Sequence, residues 1–373
     1  MPGRFSKFVI PALAILASLQ AHAGSEVPPC AIDVDVKAPE WITTCEAAIA
    51  GESDAKRRAP LLFGRAYYAV EQYRYDDAIS DLNAALAADP DSPNYLRERA
   101  YVHGELSNFG EALGDLDHII RLNPKEVVAY RERAYARHYH GDLKGAYEDR
   151  ARVFELMPES LESLLARGDA ALWLGRFDEA KADATRARAG AKIAGNEEIR
   201  KSASELLADI DLWRDATRGG DAAKLCDQGQ EAGKFDTTHL IGDCSRAFLD
   251  AKTGVARADA LTIRSTAWLT LESSQSKSTG DLRLAQAFDP TAVHYINLGY
   301  SFLLSRHSWA AKREFDRALA LENHWLALAG RAAARLNLGD PEGALADARA
   351  SNKLHPNEAA AGVLADERLQ GKK

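Results

Sequence analysis

The chain has 373 residues, more than one compact core usually serves, so it must divide into domains or repeats. Its net charge of −8 comes without a basic run, which argues against nucleic acid or an anionic membrane surface as a partner. Four cysteines and thirteen prolines punctuate it.

Residues 1–23 read as a secretory signal rather than a buried terminal helix. Arg4 and Lys7 give a positive start, Phe8 to Leu19 is a short apolar run, and Ala21-His22-Ala23 supplies small residues for cleavage. The run is too short to span a bilayer, and no later apolar run approaches that length. Residues 24–58 follow as a cap holding Cys30 and Cys45, with an extended start at Pro28, Pro29 and Pro39 and a helix from Trp41.

From residue 59 the chain repeats itself. RERAY at 97–101 returns at 131–135, 34 positions later. Ala78, Ala112 and Ala146 keep the same interval, as do Pro90, Pro124 and Pro158. The first array, 59–190, holds about four such units. Residues 191–220 read as a connecting helix, with Leu206, Leu207, Ile210 and Trp213 at helical spacing. Residues 221–257 read as a helical hairpin carrying Cys226 and Cys244. A second array of about three units covers 258–358. In its first unit, Ser273 to Gly280 reads as a flexible loop in place of a turn. Residues 359–373 read as a capping helix and tail.

An even cysteine count after an export signal suggests disulfides. Four cysteines allow three pairings. An internal duplication favours Cys30–Cys45 and Cys226–Cys244: Cys45 and Cys244 lie 199 apart, and so do Leu62 and Leu261, and Arg65 and Arg264. A cysteine-bearing cap followed by repeats is thus used twice.

The 34-residue unit, with Ala in its second half and a closing Pro, resembles the tetratricopeptide repeat. Tyr295, Leu298-Gly299, Phe302, Ala311, Phe315 and Ala318 carry the fullest version of that family's pattern. The resemblance implies an all-α fold: a right-handed superhelical solenoid of antiparallel helix hairpins, here in two halves, the second starting near residue 218. It also implies a concave groove lined by first-helix positions two, five, nine, twelve and thirteen. Position nine gives Tyr67, Tyr101 and Tyr135, then Asp169. Position five gives Phe63, Arg97 and Arg131, then Leu165. Positions twelve and thirteen add His138, Tyr139 and Trp173. The asparagines with which some members clamp a terminal carboxylate are missing from position nine.

Arg65, Arg99, Arg133 and Arg167 recur every 34 residues, each followed 16 positions later by Asp81, Asp115, Asp149 or Asp183; Arg331 and Asp347 repeat the offset. Antiparallel helices would bring each pair level. The matching aspartates neutralise the arginines, so this reads as an ion-pair ladder fixing hairpin register rather than as an anion-binding strip.

Enzyme motifs are missing: no G-x-S-x-G, H-E-x-x-H, G-x-G-x-x-G or P-loop occurs. Ser274 and Lys277 match S-x-x-K by letter alone. His103, His138 and His140 lack a third ligand at metal-site spacing, so no metal and no cofactor is expected. The function expected is non-catalytic: an exported, periplasmic or secreted adaptor that holds a partner peptide or protein in its groove. Two alternatives stand beside it, a structural subunit of a larger cell-envelope complex bound through convex surfaces, and a helical-solenoid cell-wall enzyme.

The cleavage motif predicts a mature chain beginning at Gly24. N-terminal sequencing of exported material checks it; an intact Met1 on that material would overturn both the export reading and the compartment argument for disulfides.

Overall fold

The computed structural model describes Cys30 and residues 39–216, 221–231, 236–271 and 274–366. The export signal falls outside these residues. Among the described residues every regular element is a helix. Two compact units part between Arg137 and His138.

The first unit contains α1 (Pro39–Gly51), α2 (Ala55–Glu71), α3 (Tyr75–Ala88), α4 (Pro93–Glu105) and α5 (Phe109–Leu122), and most of α6 (Val127–Tyr139). Helix α2 packs on α3 and α4 on α5, and α3 in turn packs on α4. Local chemistry starts these helices where the repeat begins: the Asp54 carboxylate accepts the Arg57 N–H, and Pro93 stands at the first turn of α4, where its missing N–H costs nothing. The cap is tied by the Cys30–Cys45 disulfide, and Trp41 stacks on Tyr68 at 5.3 Å. Gly64 is required there, because a Cβ would run into the Cys30 carbonyl.

The second unit continues with α7 (Leu143–Leu156), α8 (Leu161–Trp173), α9 (Phe177–Ala194), α10 (Glu197–Asp215), α11 (Ala222–Glu231) and α12 (Thr237–Asp250). It then adds α13 (Gly254–Leu269), α14 (Gln275–Phe288), α15 (Ala292–Leu304), α16 (Ser308–Leu321), α17 (Trp325–Asn337), α18 (Pro341–Leu354) and α19 (Glu358–Leu364). The pairs α8–α9, α11–α12, α13–α14, α15–α16 and α17–α18 are packed hairpins. The Cys226–Cys244 disulfide joins α11 to α12 inside a core that includes Phe248 and Leu261. Helix α10 packs on α9 and on α12, so residues on either side of position 218 share one core, with Leu143, Leu212 and Leu284 among its members.

One expectation is corrected. Residues 275–280 are not a loop but the first turns of α14. Two of their polar side chains are satisfied by α15 and the residue that follows it: Gln275 Nε2 donates to Ser305 Oγ at 3.0 Å, and the Thr279 and Ser301 hydroxyls meet at 2.7 Å. Lys277 is bound to Asp209 of α10 at 2.9 Å and lies over the Trp268 ring, so the S-x-x-K letters carry a structural lysine.

Six hairpin turns place one residue in left-handed backbone at the same position of the repeat. Gly141, Gly175 and Gly339 fill it in three units, and Tyr73, Ser107 and Arg306 adopt it without glycine's freedom.

The arginine–aspartate ladder is present in both units. Arg65, Arg99, Arg167 and Arg331 each grip their aspartate with Nε and Nη2, at 2.6–2.9 Å. A further rung joins Arg264 to Asp281, 17 residues apart, at 2.6 and 2.8 Å. Its Nη1 donates to Ser245 of α12 at 2.8 Å, and the guanidinium lies between the Trp173 and Trp213 rings, 4.9 and 4.6 Å from their centroids.

Arg264 is 1% exposed, so Arg264→Leu leaves Asp281 buried and unpaired, at an expected cost of about 3–5 kcal/mol. Arg99→Leu costs less, because 25% of the Arg99 side chain meets water. Urea unfolding of Arg264→Leu, Asp281→Leu and the double variant checks this: the double variant recovers part of the loss, and strictly additive losses would show that the pair is not coupled.

Candidate functional site

Helices α2, α4 and the first turns of α6 place Tyr67, Tyr101 and Tyr135 at one register position, each half-buried. Positions i and i+4 of a helix share a face, so Arg97 lies beside Tyr101, and Arg131 beside Tyr135. Tyr135 meets the Phe109 ring edge-on at 6.4 Å. Phe63 is corrected from groove surface to core: it is buried, and its ring is met by Tyr95 at 5.1 Å.

Arg97 is not an open donor. Its guanidinium stands 3.8 Å from Glu126 and 3.8 Å from Glu132, beyond hydrogen-bond distance from either. The Arg97 Nε and Glu132 Oε2 atoms are both buried without a hydrogen-bond partner. Arg131 is exposed.

The sequence reading missed two carboxyls in the same pentapeptide. Glu98 and Glu132 occupy equivalent positions of successive RERAY segments, where the first repeat has Gly64 beneath the cap. Glu98 is 9% exposed and makes neither a hydrogen bond nor an ion pair. Burial pushes its carboxyl up to about 7, with the charge of Glu71 adding to the shift and Arg97 opposing it. Glu132, with 28% of its side chain exposed, is also pushed up to about 7, chiefly by burial, with Arg97 pulling the other way and Glu98 and Glu126 adding. Burial also raises the Tyr67 and Tyr101 phenols; Glu71 and Glu98 raise both further, and Glu105 and Tyr75 add to the rise at Tyr101. The 34-residue recurrence of Glu98 and Glu132 is the available signal, equal to that of Arg97 and Arg131.

In the second unit, His138 and Trp173 are half-buried and meet edge-on at 4.9 Å. Trp173 also meets Trp213 at 5.3 Å and Phe248 at 5.6 Å, the cluster that encloses Arg264. Desolvation holds the His138 imidazole down to about 3, with Arg150 and Arg264 adding to the effect. Tyr139, 4% exposed, is corrected from groove surface to core. The position numbers were right for a generic repeat, but here aromatic packing has taken the ring faces. Among the described residues, no group of three or more His, Cys, Asp or Glu side chains is disposed to hold a metal.

A carboxyl raised in the folded state binds more protons there than in the unfolded chain between its two pKa values. Stability therefore falls as pH rises from about 4.5 towards 7, and the penalty is complete above that. Glu98→Gln removes the penalty. The variant should exceed the parent by about 2–3 kcal/mol near pH 8, and the advantage should vanish below about pH 4.5. Denaturant unfolding across that range checks both; an advantage independent of pH would show that Glu98 is not held protonated.

No family model matches the chain, and neither does any curated relative. Solved structures do. A tetratricopeptide repeat protein from Parabacteroides merdae is 17% identical over 70% of this chain and 91% of its own, with a TM-score of 0.44. The first tetratricopeptide domain of Spaghetti (RPAP3), solved with an HSP90 peptide, is 28% identical over 32% of this chain and 95% of its own, with a TM-score of 0.30. The P58(IPK) tetratricopeptide domain is 18% identical over 82% of this chain and 96% of its own, with a TM-score of 0.29. The 34-residue period, the packed antiparallel hairpins and the recurring left-handed turn residue make this an array of helical hairpins that resembles the tetratricopeptide repeat.

Proposed function

We propose that the chain is a non-catalytic adaptor or assembly factor. The face of α2, α4 and α6 bearing Tyr67, Arg97, Tyr101, Arg131 and Tyr135 holds an extended or helical segment of a partner protein. The carrying observation is that the three tyrosines recur at one register position and stay half-buried, with ring surface still meeting solvent. Tyrosine and arginine are the residues most enriched among binding hot spots, because each offers area and directed polar groups together. The setting is exported, periplasmic or secreted. Two disulfides suit an oxidising compartment, and among the described residues no helix is long and apolar enough to cross a membrane.

A second reading, a structural subunit bound through outer surfaces, draws on one observation. Leu304 and Leu338 are 64% and 45% exposed at equivalent helix ends, and Leu321 and Leu354 are 60% and 49% exposed.

Crosslinking in the native compartment identifies the partner. Tyr101→Ala with Tyr135→Ala should then weaken its capture by about 1–4 kcal/mol in total, while helicity by circular dichroism stays near that of the parent. Capture that survives this change but is abolished by Leu304→Ser with Leu338→Ser would replace the groove reading with the second.

A further inference from the structure

We infer that this face recognises a basic side chain, lysine or arginine, of the bound segment, seated against Glu98 with Glu71 and Glu132 beside it. The inference rests on the groove reading above and specifies the chemistry of its ligand.

Glu98 is the pivotal observation. It is 9% exposed, yet neither a hydrogen bond nor an ion pair satisfies it. A buried carboxyl normally has such a partner, because leaving water without one is costly. The groups within electrostatic reach of it come from three helices: Tyr67 and Glu71 of α2, Arg97 and Tyr101 of α4, and Glu132 of α6. Glu105 of α4 lies within electrostatic reach of Tyr101, and Glu126 within reach of Glu132. Glu71 and Arg97 act on Glu98 with opposite sign. Arg97 stands 3.8 Å from both Glu126 and Glu132, and it leaves its own Nε and the Glu132 Oε2 without hydrogen bonds. Glu98 itself has no counter-charge in hydrogen-bond or ion-pair contact.

An incoming ammonium or guanidinium would supply the missing charge and donors together. The Tyr67 and Tyr101 side chains lie within electrostatic reach of Glu98 and Glu71, and their rings would add attraction for a cation. Burial raises both Glu98 and Glu132 to about 7, so a proton can take the place of a counter-charge near neutral pH. A bound cation favours the ionised carboxyl, so it competes with that proton. Affinity therefore climbs as pH rises through about 7 and falls on acidification.

The test titrates the full chain with short blocked peptides of equal length, carrying lysine, glutamine or glutamate at alternate positions, at about pH 8 and about pH 6. The lysine peptide should bind most tightly, and roughly tenfold better at the higher pH, the span over which one such carboxyl ionises. Glu98→Gln, which keeps the shape of the protonated acid, should lower lysine-peptide affinity at least tenfold at about pH 8 and flatten the pH profile. Asp76→Asn, on the exposed start of α3, should leave both unchanged. Equal losses for Glu98→Gln and Asp76→Asn would show attraction by net charge alone and overturn the inference. It also falls if the glutamine or glutamate peptide binds as well as the lysine peptide, yet the groove reading survives if Tyr101→Ala weakens that binding. If no peptide binds, the inference falls outright, and the crosslinking experiment decides the groove reading separately.

Discussion

The bidentate arginine–aspartate pair is the constraint on which the rest of this structure depends. In each hairpin that carries one, the fork of Nε and Nη2 closes on both carboxylate oxygens, which fixes how far one helix slides along the other. The third donor reaches back to the preceding hairpin. Arg99 Nη1 meets Asn83, Arg264 Nη1 meets Ser245, and Arg331 Nη1 meets Asp316. One side chain therefore sets register within a repeat and spacing between repeats. At partly exposed rungs the net stabilisation is modest. The buried rung at Arg264 is weak evidence for stability in itself, and its value here is geometric: it ties α12, α13 and α14 to the Trp173–Trp213 cluster.

This constraint explains what was legible in the sequence. A rung with a constant offset of 16 appears as a periodic pair of letters, so Arg65–Asp81, Arg99–Asp115, Arg167–Asp183 and Arg331–Asp347 could be read directly. The Arg264–Asp281 rung could not, because the connection 270–274 is longer than 72–74 or 174–176 and moves the offset to 17. Helix α14 was misread for a different reason. Its Gln, Ser and Thr residues look like loop composition, since such side chains compete for backbone in isolation. In the folded chain Ser301, Ser305 and Asp209 occupy their side chains instead, and Asp209 lies 68 residues from Lys277. No local pattern contains that partner.

The candidate site was half legible in the same sense. Helical period alone places Arg97 and Tyr101 on one face. It does not say which letters of RERAY lose their water. Charged residues on a repeat surface normally read as a solvated face, so the letters alone do not single out Glu98 and Glu132. Phe63 and Tyr139 failed in the opposite direction. Their positions line a groove in a generic array, but the Tyr95 ring against Phe63 and the closure of the core over Tyr139 remove them from the surface here.

The contrast between neighbours on α4 carries the synthesis further. Arg99 turns toward α5 and finds Asp115 at 2.6 Å; Arg97, two residues earlier, turns the other way and finds two carboxylates at 3.8 Å. A flexible surface would relax this mismatch by swinging Glu98 out to water. The ladder denies that freedom, because the bond from Arg99 to Asp115 sets the rotation of α4 about its axis, and the further bond to Asn83 holds it against α3. With the helix so oriented, Glu98 stands on the buried side of α4, 9% exposed. On the groove reading proposed above, a scaffold that holds a carboxyl without a hydrogen-bonding counter-charge lowers the ordering cost a ligand would otherwise have to meet, and that preorganisation would separate a binding face from a merely acidic one.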